Sequence, residues 1–153
     1  MGRLWHKVLR ILLTKHLLSK TLLLVRVFKT KRLDRWAKKE ELTDQAIGAA
    51  AKEVAAGNAE ANLGQHLFKK RIARPGKGKS SGFRTIVAFK SDNGDKIFFV
   101  YGFAKNQQSN ITTVELDGLG IIAKHYLGAT EEVLKKLLED NELVETMEEQ
   151  YNE

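Results

Sequence analysis

Phe83-Arg84-Thr85-Ile86-Val87-Ala88-Phe89-Lys90-Ser91-Asp92-Asn93-Gly94-Asp95-Lys96-Ile97-Phe98-Phe99-Val100-Tyr101-Gly102-Phe103 is the stretch on which the fold turns. Phe83, Thr85, Val87 and Phe89 alternate with Arg84, Ile86, Ala88 and Lys90, the two-residue period of a strand. Lys96–Phe103 is rich in aromatic and β-branched residues and reads as a second strand. Asn93-Gly94, inside Asp92–Asp95, is a hairpin-turn signal because the tight turn needs positive φ at its centre. An earlier strand, Leu67–Ala73, reaches Phe83–Lys90 through the loop Pro75-Gly76-Lys77-Gly78-Lys79-Ser80-Ser81-Gly82. The three runs predict an antiparallel meander. Strict alternation puts Tyr101 and Phe103 on the side of Phe99. It puts Lys69 and Lys70 on opposite sides, so at most one of them faces a ligand.

Working outward, Lys31–Glu41 predicts a helix with Leu33, Trp36 and Ala37 on one side. Thr43 reads as the N-cap of an alanine-rich helix, Asp44–Ala56, with Asp44 suited to the helix dipole and Gly57 at its end. After the strands, two helices are expected, about Val114–Tyr126 and Thr130–Glu149, the second capped by Thr130 without a capping-box glutamate. The predicted order is α-α-β-β-β-α-α. That is an α+β domain: a small antiparallel meander preceded by two helices and followed by two more.

Residues 1–24 stand apart. Leu4, Val8, Leu9, Ile11 and Leu12 share one side of a helical wheel, opposite Arg3, Lys7, Arg10 and Thr14, until Lys15 and His16 break the phase. A membrane-surface helix and a signal-like segment are two readings, though charges interrupt the apolar stretch and no small-residue cleavage site follows. The favoured reading is a basic, apolar extension outside a domain spanning residues 25–153, of the kind a start codon set too early would add.

The 153 residues suit one domain, 42% hydrophobic and 29% charged. A single proline and no cysteine exclude a disulfide scaffold, thiolate zinc sites and a cysteine nucleophile. No apolar run approaches the roughly 18 residues of a membrane span, so a cytoplasmic protein without stable membrane association is expected. The net charge of +7 is unevenly placed. Lys/Arg dominate 66–105, where Asp92 and Asp95 are the acids, whereas Lys135 and Lys136 are the cations in the acidic tail after Thr130. A basic middle suggests a polyanionic ligand.

His6, His16, His66 and His125 are scattered, and no HExxH, CxxC, GxSxG or GxxxxGK[ST] pattern occurs. Neither metal nor cofactor is expected. Gly76-Lys77-Gly78-Lys79-Ser80 lacks phosphate-loop spacing and lies between strands. What remains is a cluster of Lys69, Lys70, Arg71, Arg74, Lys77, Lys79, Arg84 and Lys105 beside glycines that let backbone approach a phosphate. Phe83, Tyr101 and Phe103 could stack on unpaired bases. Core packing is the plainer account for most of the phenylalanines.

Val27-Phe28-Lys29-Thr30-Lys31, Leu63-Gly64, Lys69-Lys70-Arg71, the block from Pro75 to Thr85, and Val100-Tyr101-Gly102-Phe103-Ala104-Lys105-Asn106 with Asn110-Ile111 together resemble the RelE/HigB-like toxins of type II toxin–antitoxin modules, in the RelE/ParE superfamily. The resemblance covers roughly 27–127. It implies a three- or four-stranded antiparallel sheet with helices on one side and a basic concave face for messenger RNA, often at the ribosome. It implies metal-free cleavage by the RNA 2′-hydroxyl, and neutralisation by a cognate antitoxin, expected to be a helix-turn-helix protein. By the same resemblance, Arg84 clamps the phosphate with Arg71, Lys77 or Lys79 is the base, and Lys105 is the acid. The RNA-contacting set is Lys69, Lys70, Arg74, Lys90, Tyr101, Phe103 and Asn106. Alternative readings are a ParE-like gyrase inhibitor, a non-catalytic nucleic-acid-binding relic and, more weakly, a peripheral membrane protein.

Overall fold

A computed structural model describes residues 25–74, 76, 78–93 and 96–146. The amphipathic segment 1–24, Lys77, Gly94 and the tail beyond Thr146 lie outside the described residues, as does the Lys79 side chain. The elements are β1 (Arg26–Thr30), α1 (Lys31–Lys39), α2 (Asp44–Ala55), β2 (Ala61–Gly64), β3 (Leu67–Arg74), β4 (Gly78–Phe89), a 3₁₀ turn at Ser91–Asn93, β5 (Lys96–Ala104), α3 (Thr113–Leu127), α4 (Glu131–Glu139) and β6 (Leu143–Glu145). The fold is α+β, as expected. The β3–β4–β5 meander is the centre of a six-stranded sheet ordered β2-β3-β4-β5-β1-β6.

Three strands escaped the sequence reading. β1 pairs parallel with β5, the one parallel pair among the described residues, and antiparallel with β6. It is short and buried on both faces, so it shows no alternation. β2 forms a hairpin with β3 through Gln65 and His66, whose φ values of 55° and 60° suit a tight two-residue turn without glycine.

The expected helix from Thr130 to Glu149 is corrected. It stops at Glu139 and the chain returns as β6. Asn141 adopts φ 58°, its N–H bonds to Leu138 O, and Glu142 N–H bonds to Leu137 O. That paired pattern is a Schellman stop, and asparagine tolerates the left-handed position. α1 ends the same way at Glu41 (φ 59°), with Leu42 N–H on Ala37 O. Thr43 caps α2 as expected, and α3 carries a full capping box of Thr112 and Glu115 that the sequence reading missed.

Helices cover both faces, which corrects the one-sided arrangement implied by the resemblance. α1 and α2 pack Leu33, Ala37, Ile47 and Val54 on Val27, Phe83, Val87 and Phe99. α3 and α4 pack Leu119, Ala123, Leu134 and Leu137 on Phe28, Ile86, Ala88 and Phe98. Each large apolar side chain so buried contributes about 2 kcal/mol.

Two details of register shape the site. β4 begins at Gly78, not Phe83, because Arg74 pairs with Gly78 beyond a bulge after Ile72. The Gly/Ser run therefore belongs to a strand whose ladder needs backbone groups and no apolar side chains. In β5, Ile86 pairs with Tyr101 and Val87 with Phe99, leaving Val100 as the extra residue of a bulge. The bulge reverses the alternation, so Tyr101 and Phe103 lie on the face opposite Phe99, contrary to the sequence expectation.

Candidate nucleic-acid interface

Residues directly opposite in an antiparallel ladder point to the same face. Lys69 stands opposite Ile86, Arg71 opposite Arg84, Arg84 opposite Phe103 and Ile86 opposite Tyr101. Lys69, Arg71, Arg84, Tyr101 and Phe103 therefore share one face at one end of β3–β4–β5. The β5 bulge makes this possible by turning the two aromatics toward the arginines.

Arg71 is exposed and Lys69 half-buried. Arg84 is only 5% exposed. Its Nη1 donates to Phe83 O at 3.4 Å, a long bond. Burial lowers the Arg84 pKa, and the neighbouring Arg71 charge lowers it further, with Glu60 opposing. An arginine shifted this way still keeps its proton. The result is two guanidinium groups on neighbouring strands, an arrangement that an oxyanion relieves. Glu60 holds β3 nearby by accepting from the Arg71 backbone N–H at 2.9 Å.

Phe103 is buried and Tyr101 half-buried, their ring centroids 5.9 Å apart. The Tyr101 hydroxyl donates to Gln108 Oε1 at 3.0 Å. Burial raises the Tyr101 pKa and the Glu115 carboxylate adds to it, so the phenol stays protonated at neutral pH. Lys105 follows β5, exposed, with its backbone N–H on Gly82 O at 3.3 Å. That bond sets it beside β4, two residues from Arg84. Asn106 is exposed in the next turn.

Three residues from the predicted set lie elsewhere. Lys70 points to the other face, 3% exposed, with Nζ donating to Asn58 O at 2.9 Å and paired with Glu53 and Glu60. It anchors α2 to the sheet. Arg74 also sits on that other face, over the Phe83 ring at 5.5 Å and 3.8 Å from Glu40. Lys90 follows the far end of β4 and pairs with Asp92. Lys79 lies in β4, and its side chain and Lys77 remain outside the description. The sequence reading also missed Arg32 and Gln108 beside Tyr101, because their contacts join α1 and a turn to β5 across the fold.

Among the described residues no group of three or more His, Asp or Glu side chains could hold a metal ion. No helix among them is long and apolar enough to cross a membrane.

A family model for the RelE toxin of the RelE / RelB toxin-antitoxin system matches residues 25–146. The chain belongs to the RelE toxin family, toxins that work in toxin–antitoxin pairs. Neither the curated proteins nor the solved structures gave a match. The matched span opens at Val25, directly before β1, and closes at Thr146, directly after β6.

Proposed function

We propose that this toxin is an endoribonuclease that cuts messenger RNA, on the ribosome, and is silenced by a cognate helix-turn-helix antitoxin. The observation that carries the reading is the Arg71–Arg84 pair on one face with Tyr101 and Phe103. Two guanidiniums suit a phosphate, and the aromatics suit unpaired bases.

In the proposed reaction the RNA 2′-oxygen attacks the adjacent phosphorus. The P–O5′ bond breaks, leaving a 2′,3′-cyclic phosphate and a 5′-hydroxyl. Arg84 and Arg71 neutralise charge gathering on the non-bridging oxygens, the largest contribution in this class of chemistry. Lys77 or Lys79 takes the 2′-proton, and Lys105 protonates the leaving 5′-oxygen. Lys69 and Asn106 contact the strand on either side. Lys70, Arg74 and Lys90 have no part, given where their side chains lie. The reading invokes no metal or other cofactor.

The test is to incubate the purified chain with a defined messenger RNA and magnesium-assembled ribosomes, and to identify the product ends. Cyclic phosphate and 5′-hydroxyl ends support the reading. Intact RNA together with inhibited gyrase would instead favour a ParE-like toxin.

A further inference from the structure

β1 accompanies β5 only from Lys96 to Phe99, because Thr30 then caps α1 and turns the chain away. Among the described residues no strand pairs with Tyr101–Phe103 on that side. The gap is a cleft of about 240 Å³, open to solvent, lined by Arg32, Trp36, Tyr101, Phe103, Gln107 and Gln108. Its floor is fixed. Gln108 accepts from the Tyr101 hydroxyl and donates to Asn110 O at 2.7 Å, so the phenol ring is held at its tip. Above the ring lies the Arg32 guanidinium, 5.4 Å from the centroid. Arg32 is exposed in the first turn of α1.

We infer that this cleft holds one unpaired nucleobase of the RNA, stacked on the Arg32–Tyr101 pair. The inference rests on the nuclease reading and deepens it. A planar cation backed by an aromatic ring is a stacking platform for an electron-rich base. The cleft also adjoins the phosphate site. Phe103 lines it and stands directly opposite Arg84, so a base in the cleft and a phosphate at Arg84 can belong to neighbouring parts of one strand. A base stacked within a duplex has no free face to offer this platform. Arg32 is thus assigned a base-stacking role that its place in a helix, ahead of the basic stretch, does not suggest.

The test uses the full chain and fluorescent RNA tetranucleotides with 2′-O-methyl sugars, which remove the attacking hydroxyl. Each is compared with versions lacking one base in turn. For wild type, loss of the base at one position should weaken binding about tenfold, the effect of one stacked base. Arg32→Ala should bind the intact probe about tenfold more weakly and lose nothing further at that position. Arg32→Lys, which keeps the charge without the plane, should behave like Arg32→Ala. If Arg32→Ala weakens intact and base-deleted probes by the same factor, Arg32 is a phosphate contact and the inference is wrong. If wild type binds no probe yet cuts messenger RNA on ribosomes, the inference is wrong and the nuclease reading stands; if it neither binds nor cuts, both fall.

Discussion

Arg71 and Arg84 stand directly opposite each other on β3 and β4, two cations on one face of the sheet. Like charges opposed in a ladder are destabilising, by roughly 0.2–1 kcal/mol. Two cations opposed on one face are suited to an anionic ligand that offsets their repulsion. Arg71→Gln should therefore raise folding stability by about 0.5 kcal/mol in the absence of RNA, while weakening RNA binding. Chemical denaturation of the two proteins, with and without a non-cleavable RNA, checks both signs. A less stable Arg71→Gln would show that the pair is supported by other contacts.

The two adjacent lysines of β3 separate structure from binding. Lys70→Met leaves Glu53 and Glu60 without their buried partner and should lower stability by about 3 kcal/mol. Lys69→Ala, on the half-exposed face, should change stability by less than about 0.5 kcal/mol and weaken RNA binding. Equal stability losses would mean that the face assignment along β3 is wrong.

Gly102 and Gly120 make a second contrast. A Cβ on Gly102 would run into the six-membered ring of Trp36, which is rigid and wedged edge-on against Phe83 at 5.3 Å. Gly102→Ala should cost about 2 kcal/mol, and Trp36→Leu in the same chain should recover part of it. A Cβ on Gly120 meets only the end of the flexible Gln65 side chain. Gly120→Ala should be neutral or stabilising, since alanine favours the helix by about 1 kcal/mol. Thermal melts of the three variants test this directly.

Acid stability should depend on Lys29. Its Nζ lies 2.7 Å from both Asp34 and Asp44, and Lys38 reaches the other oxygen of Asp34 at 3.0 Å. Burial alone would raise the Asp34 pKa. Hydrogen bonds from Lys29 and Lys38 outweigh it and hold the carboxyl below its usual range. Burial likewise disfavours the Lys29 charge, and the two aspartates more than restore it, so its pKa is raised. A depressed carboxyl stabilises the fold above its unfolded pKa, and that gain is lost as pH falls through the folded value. The stability gap between wild type and Lys29→Met, about 3 kcal/mol near neutrality, should narrow below about pH 4. A gap that is constant down to pH 2 would contradict the ion-pair account.

The β3–β4–β5 meander was legible in the sequence because Phe83–Phe89 alternates and Asn93-Gly94 marks the return. Thr43 and Gly57 were legible as helix punctuation because side-chain oxygens cap and glycine takes positive φ. β1 and β6 were not. β1 is five residues buried between β5 and β6, and β6 is three residues at the sheet edge, so neither is long or alternating enough to show a period, and Asn141 stops α4 without glycine or proline. The site was half legible. Arg71 and Arg84 stand out by charge, and their expected role follows from the family resemblance. Their union with Tyr101 and Phe103 depends on the Val100 bulge, a one-residue insertion that no alternation rule can foresee. Lys70 and Arg74 look like RNA contacts in a basic run, and only the register shows which face they take.

The most direct test of the central claim is induction of the wild-type chain against Arg84→Ala, with growth followed and transcript 5′ ends mapped. The account predicts growth arrest with new 5′ ends inside coding regions for wild type. For Arg84→Ala it predicts that both are reduced by about 100-fold or more in cleavage rate. Arrest without new 5′ ends, or equal cleavage by Arg84→Ala, would contradict it.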